Sequence, residues 1–100
     1  MITIKNNLEF DELIKNNEVV IVDFYADWCG PCKMMAPFFE ELSKEMTSIT
    51  FAKLNVDELN DLAESFEITS IPTLIVFKNG KQSERHAGFL NKEGIINLLK

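Results

Sequence analysis

One hundred residues, 46% of them apolar and 26% charged, suit one compact domain that can fold without disulfide staples or a structural metal. The formal net charge of −6 argues against binding nucleic acid through its phosphates, and no apolar run approaches the roughly 20 residues that cross a bilayer. Residues 1–100 are therefore expected to form a single domain, with the acidity serving solubility.

The chain opens with a short strand at Thr3-Ile4. Asn6-Asn7 offer a helix N-cap, Phe10, Leu13 and Ile14 recur at helical spacing, and Asn16-Asn17 end that helix. Val19 to Tyr25 is an unbroken β-branched and aromatic run, the pattern of a central strand covered on both faces. A long helical pattern follows, with Met35, Phe39, Leu42 and Met46 on one face. Pro37 inside it is expected to kink that helix rather than end it.

Ile49 to Val56 returns to strand character. Asp57 is expected to cap a helix carrying Leu59, Leu62, Ala63 and Phe66. Leu74 to Phe77 is a strand, Lys78-Asn79-Gly80-Lys81 a two-residue hairpin, and Gln82 to Ala87 a polar edge strand broken by Gly88. Asn91 can cap a last helix bearing Ile95, Ile96, Leu98 and Leu99. The order βαβαβαββα requires parallel neighbours across the helical crossovers and one antiparallel pair at the hairpin.

The only two cysteines, Cys29 and Cys32, stand two residues apart after the central strand and at the start of the long helix. A disulfide between such near neighbours closes too short a loop to stabilise a fold much, so the pair points to chemistry. A helix N-terminus supplies free N–H donors and positive potential, which favour thiolate at Cys29 and make it the candidate nucleophile. Half of a zinc site is the competing reading. It needs two more ligands, and the chain has no further cysteine and only His86.

Other positions stay open on residue type alone. Asp23 is a buried carboxylate or a strand-end group facing water. Lys53 fits a solvated strand position, Pro72 an ordinary trans proline starting a strand, and His86 a solvated edge. Trp28 suits a half-buried core aromatic or an exposed partner contact, and Phe10, Phe39, Phe66 and Phe77 suit the core.

Val22-Asp23-Phe24-Tyr25-Ala26-Asp27-Trp28-Cys29-Gly30-Pro31-Cys32-Lys33 closely resembles the active-site segment of the thioredoxin family. So do Ala52 to Asp57, Ile71-Pro72-Thr73-Leu74, Phe77 to Gly80, and Gly88, in one register from about Phe10 onward. Tyr25 replaces a tryptophan common in that family, and Asp27 stands where many members carry Glu or another residue. The resemblance implies an α/β thioredoxin fold: a five-stranded mixed sheet flanked by four helices.

The resemblance also implies roles. Cys29 would be the nucleophile and the more exposed thiol, and Cys32 the resolving thiol. Gly30-Pro31 would shape the turn and favour the reducing side. Asp23 would be a buried acid–base group serving Cys32, with Lys53 in electrostatic support. Pro72 would be a cis-proline facing the dithiol, crowding out a metal and leaving the Ile71 backbone free for an extended substrate. Trp28, Ile71, Pro72, Ala87 and Gly88 would form the docking rim.

The implied function is reduction of protein disulfides by a cytoplasmic monomer with no bound cofactor and no metal. Electrons would come from NADPH through thioredoxin reductase. The implied targets are ribonucleotide reductase, peroxiredoxin and methionine sulfoxide reductase. The same scaffold also serves thiol oxidases and isomerases, and non-catalytic binding subunits. Gly30-Pro31 and the lack of a signal-like N-terminus count against the oxidase and isomerase.

Overall fold

The computed structural model describes every residue from Met1 to Lys100. Its elements are β1 (Ile2–Thr3), α1 (Asn7–Asn16), β2 (Val19–Tyr25), α2 (Gly30–Glu45), β3 (Thr50–Asn55), α3 (Asn60–Ser65), β4 (Thr73–Lys78), β5 (Lys81–Ala87) and α4 (Lys92–Leu99). The strands form one sheet in the order β1-β3-β2-β4-β5. Pairing is parallel among β1, β3 and β2, and antiparallel from β2 to β4 and from β4 to β5. This is the expected mixed sheet with four helices, and no helix is long and apolar enough to cross a membrane.

The unbroken run in β2 has its physical reason in this topology. Val20 to Phe24 are all buried, because β2 lies in the middle of the sheet with helices on both faces. Alternate residues divide between two cores. Val20, Val22 and Phe24 meet Phe10, Leu54, Leu62, Ile75 and Phe77 on the side of α1 and α3. Ile21 meets Met35, Phe39, Leu42, Phe51, Leu74, Val76 and Ile95 on the side of α2 and α4. Asp23 has the parity of Ile21, so it emerges beneath α2.

Local signals set most boundaries. Asn6 accepts the Glu9 N–H at 2.9 Å, and Asn91 accepts the Gly94 N–H at 2.9 Å, so both asparagines cap as expected. Asn17 closes α1 by donating from its amide to the Leu13 carbonyl at 2.8 Å. Asn79 and Gly80 have φ of 53° and 82°, the two left-handed positions a type I′ hairpin requires. Pro37 lies inside α2, which continues to Glu45 because Met35, Phe39 and Leu42 seal one face to the sheet.

One cap differs from expectation. Leu59 stands at the N-cap of α3 without a side-chain hydrogen bond, and Asp57 plays no capping part. The Asn55 side chain instead accepts from the Asp57 N–H at 2.9 Å and the Glu58 N–H at 3.3 Å, organising the turn from within β3. Asp57 is thereby freed for a distant partner.

Candidate active site

Cys29 is the N-cap residue of α2, in extended conformation, and it forms a disulfide with Cys32 across a Cα–Cα distance of 5.2 Å. Its Sγ accepts the Cys32 N–H at 3.2 Å. The sulfur thus occupies the place a capping oxygen would take, where free helix donors and the positive end of the dipole favour negative charge. Pro31 lies in the first turn, where its missing N–H has no intrahelical role to lose. A Cβ at Gly30 would meet nothing within 4 Å, so the position between the cysteines is open.

As a disulfide, the two cysteine residues are equally buried, each 4% exposed. In this disulfide the Cys29 sulfur caps the Cys32 amide at the helix end. The two differ instead in what lies beyond them. Cys29 Sγ approaches the Ile71 carbonyl oxygen at 3.7 Å, toward the outside. Cys32 lines an inner cavity of about 180 Å³ with Asp23, Tyr25, Ala26, Asp27, Lys33, Ala36 and Lys53.

Asp23 resolves to the buried alternative, at 5% exposure. Its Oδ1 is buried with no hydrogen-bond partner. Burial raises its pKa from the ordinary 3.8 to about 7, against the lowering influence of Lys53. Lys53 sits opposite Asp23 in the parallel β2–β3 register, and its Nζ lies 5.5 Å from the centroid of the Tyr25 ring. A carboxyl poised near neutrality thus lines the same cavity as Cys32.

Outside, Trp28 is 69% exposed, which removes the half-buried core reading. Its Nε1 donates to Asp57 Oδ2 at 2.9 Å, so the ring is oriented without being buried. It walls a groove of about 440 Å³ that runs between α3 and the segment from Ile68 to Ile71. The Ile71–Pro72 bond is cis. Neither the N–H nor the carbonyl of Ile71 makes a backbone hydrogen bond within the chain. The Pro72 carbonyl accepts the Gly88 N–H at 2.7 Å, which ties the end of β5 to the same rim. Gly88 has φ of 109°, a conformation side chains disfavour.

The structure therefore gathers Cys29, Cys32, Trp28, Ile71, Pro72, Ala87 and Gly88 at one end of the sheet, with Asp23 and Lys53 beneath. His86 stays on the edge strand. No three His, Cys, Asp or Glu side chains cluster closely enough to hold a metal ion. Two contacts escaped the sequence reading. Asp57 holds Trp28 across 29 residues of chain, and Tyr25 carries Lys53. Only the Asn55-Val56-Asp57 spacing, an asparagine turn that competes with an aspartate cap, hinted at the first.

Comparison with known proteins agrees with this geometry. The thioredoxin family model matches residues 1–100. Thioredoxin of Mycoplasmoides gallisepticum is 45% identical over 97 residues, covering 97% of each chain. Thioredoxin-1 of Saccharomyces cerevisiae is 49% identical over 84 residues, 84% of this chain and 82% of that one. The structure of Plasmodium falciparum thioredoxin superposes with a TM-score of 0.94 at 44% identity, covering 99% of this chain and 96% of that one. The chain belongs to the thioredoxin family, and its Cys29–Cys32 pair is the redox-active dithiol of a protein-disulfide oxidoreductase.

Proposed function

We propose that the chain works as a single domain, residues 1–100, which reduces protein disulfides in two steps divided between its two cysteines. The Cys29 thiolate attacks one sulfur of a target disulfide. A Cys29–target bond forms, the target bond breaks, and the second target sulfur leaves as a thiolate. Asp23 then takes the proton of Cys32. The Cys32 thiolate attacks Cys29, releasing the remaining target sulfur with both electrons. The target ends as a dithiol and the chain as the disulfide present here.

The observation that carries this reading is the Cys32 N–H directed at Cys29 Sγ, with Asp23 sharing the cavity behind Cys32. Lys53 moderates the charge of Asp23. The Ile71 amide and carbonyl, without backbone hydrogen bonds of their own, suit an extended target segment pairing beside Trp28, Pro72, Ala87 and Gly88.

Recharging falls to a thioredoxin reductase drawing on NADPH, with no cofactor bound to the chain itself. The targets are disulfides of the kind formed in ribonucleotide reductase, peroxiredoxin and methionine sulfoxide reductase. The working form is a cytoplasmic monomer. The test is coupled turnover. With a thioredoxin reductase, NADPH and a disulfide-bonded protein, NADPH oxidation should require catalytic amounts of this chain. Oxidation that proceeds equally without the chain, or fails with it, overturns the reading.

A further inference from the structure

Tyr25 ends β2, two residues beyond Asp23 and on the same face, while Lys53 stands directly across from Asp23 on β3. The nearest obvious partner for the Lys53 ammonium is the Asp23 carboxylate. Yet Asp23 Oδ1 has no hydrogen-bond partner, and Lys53 takes no part in any ion pair within 4.0 Å. Its Nζ lies instead 5.5 Å from the centroid of the Tyr25 ring. A cation at that range is attracted to the negative face of an aromatic ring. Burial, helped by the charge of Asp27, pushes the Tyr25 phenol above its ordinary value, so the ring stays neutral where Asp23 titrates.

We propose that Tyr25 is a positioning residue that holds the Lys53 ammonium over its ring and out of a direct ion pair with Asp23. The inference rests on the reading of Asp23 as the proton carrier for Cys32. The charged groups around the cavity are Asp23 and Asp27 from β2 and the turn after it, Lys53 from β3 and Lys33 from α2. Glu58 acts on Tyr25 from beyond β3. Of these, Lys53 is the charge that acts on Asp23. An ammonium locked onto the carboxylate would return Asp23 toward the ordinary acidic range. The group would then be a weak base with no proton to exchange near neutrality. Held over Tyr25, the same cation stays near while burial keeps the upper hand.

The test follows the Asp23 carboxyl by carbon NMR through a pH titration of the oxidised protein. Tyr25→Leu should lower the midpoint by about half a pH unit, the size of a partly exposed cation–π contact. Tyr25→Phe, which keeps the ring, should leave it within a few tenths of a unit of the parent. Adding Lys53→Met should raise the midpoint in every background and erase the difference between the parent and Tyr25→Leu. A midpoint unmoved by Tyr25→Leu overturns the proposal, as does a shift that persists with Lys53→Met. Rates of mixed-disulfide resolution against pH, on the same variants, separate the two readings. If the NMR midpoint moves and the rate profile does not follow, Asp23 is not the proton carrier, while the Tyr25 assignment stands.

Discussion

The disulfide has two unlike flanks. Outside it, Trp28 is 69% exposed and held only by its hydrogen bond to Asp57, beside a groove of about 440 Å³ and an Ile71 that makes no backbone–backbone hydrogen bond. Inside it, Asp23 is 5% exposed, in a cavity of less than half that volume, with one oxygen unpaired. Capturing a protein needs accessible apolar surface and free backbone groups. Tuning a proton near neutrality needs burial. Both demands fall on a pair of sulfurs in one turn of α2. The fold meets them by ending the sheet under the helix N-terminus, with an open side and a closed one. Substitutions on the two flanks should therefore change different constants.

The largest effects belong to the sulfurs themselves. Cys29→Ser should abolish turnover of a protein disulfide. Cys32→Ser should still make the first attack and accumulate a mixed disulfide at Cys29, visible as a covalent adduct by mass spectrometry. Full turnover by Cys29→Ser would mean the flanks had been matched to the wrong sulfurs.

Next comes the inner flank. Asp23→Ala should slow resolution of the mixed disulfide on the order of 100-fold at pH 7, as loss of a positioned acid–base group does. It should leave first-step capture unchanged. The same carboxyl has a signature in stability. Its folded pKa of about 7 lies above the ordinary 3.8, so the folded chain keeps a proton that the unfolded chain releases. Stability is then undiminished below about pH 3.8, falls as pH rises toward 7, and levels off above. Asp23→Ala should gain at most about 4 kcal/mol at pH 8, offset by the small cavity left behind, and lose that gain near pH 3.5. Urea unfolding at the two pH values checks it. A gain independent of pH would take Asp23 out of the interior.

The outer flank should act on affinity. Trp28→Ala should raise the KM for a protein disulfide by roughly 10- to 30-fold with resolution unaltered, the size of an interface hot spot. Asp57→Ala removes only the hydrogen bond that orients the ring and should cost about fivefold. If Asp57→Ala matched Trp28→Ala, ring orientation rather than ring area would govern docking. The smallest effect is in the rim backbone. A Cβ at Gly88 has open space, so Gly88→Ala should cost about 1 kcal/mol, all of it from the positive φ, read as a fall in melting temperature of about 4–8 °C. Gly30→Ala, equally free of clash and without positive φ, should not change it.

How far the sequence reveals this molecule depends on the range of each interaction. The place of β2, the Asn79-Gly80 hairpin and the caps at Asn6 and Asn91 follow from patterns a few residues long, and the structure has them all. Asp57 looked like a cap because its nearest helix needed one. Its actual partner, Trp28, is 29 residues away in sequence, and no local pattern records that. Asp23 was undecidable for a related reason. Its burial depends on α2 covering that face of the sheet, which periodicity within β2 does not report. The exposure expected of Cys29 concerns a free thiol, and the disulfide present here leaves both cysteine residues equally buried, at 4%. Tyr25 showed only as a departure from the family's usual tryptophan, and its contact with Lys53 needed coordinates.

The central claim, that the Cys29–Cys32 pair works as a disulfide reductant, is tested most directly by its reduction potential. Trp28 adjoins Cys29 and is the only tryptophan, so its fluorescence should follow a titration against a thiol–disulfide buffer. A potential well below about −180 mV, the range of a disulfide isomerase, is the expected result. Each 30 mV corresponds to about 1.4 kcal/mol for a two-electron couple, so the measurement separates the cases cleanly. A value at or above about −180 mV would make the pair an oxidant or isomerase and contradict the account.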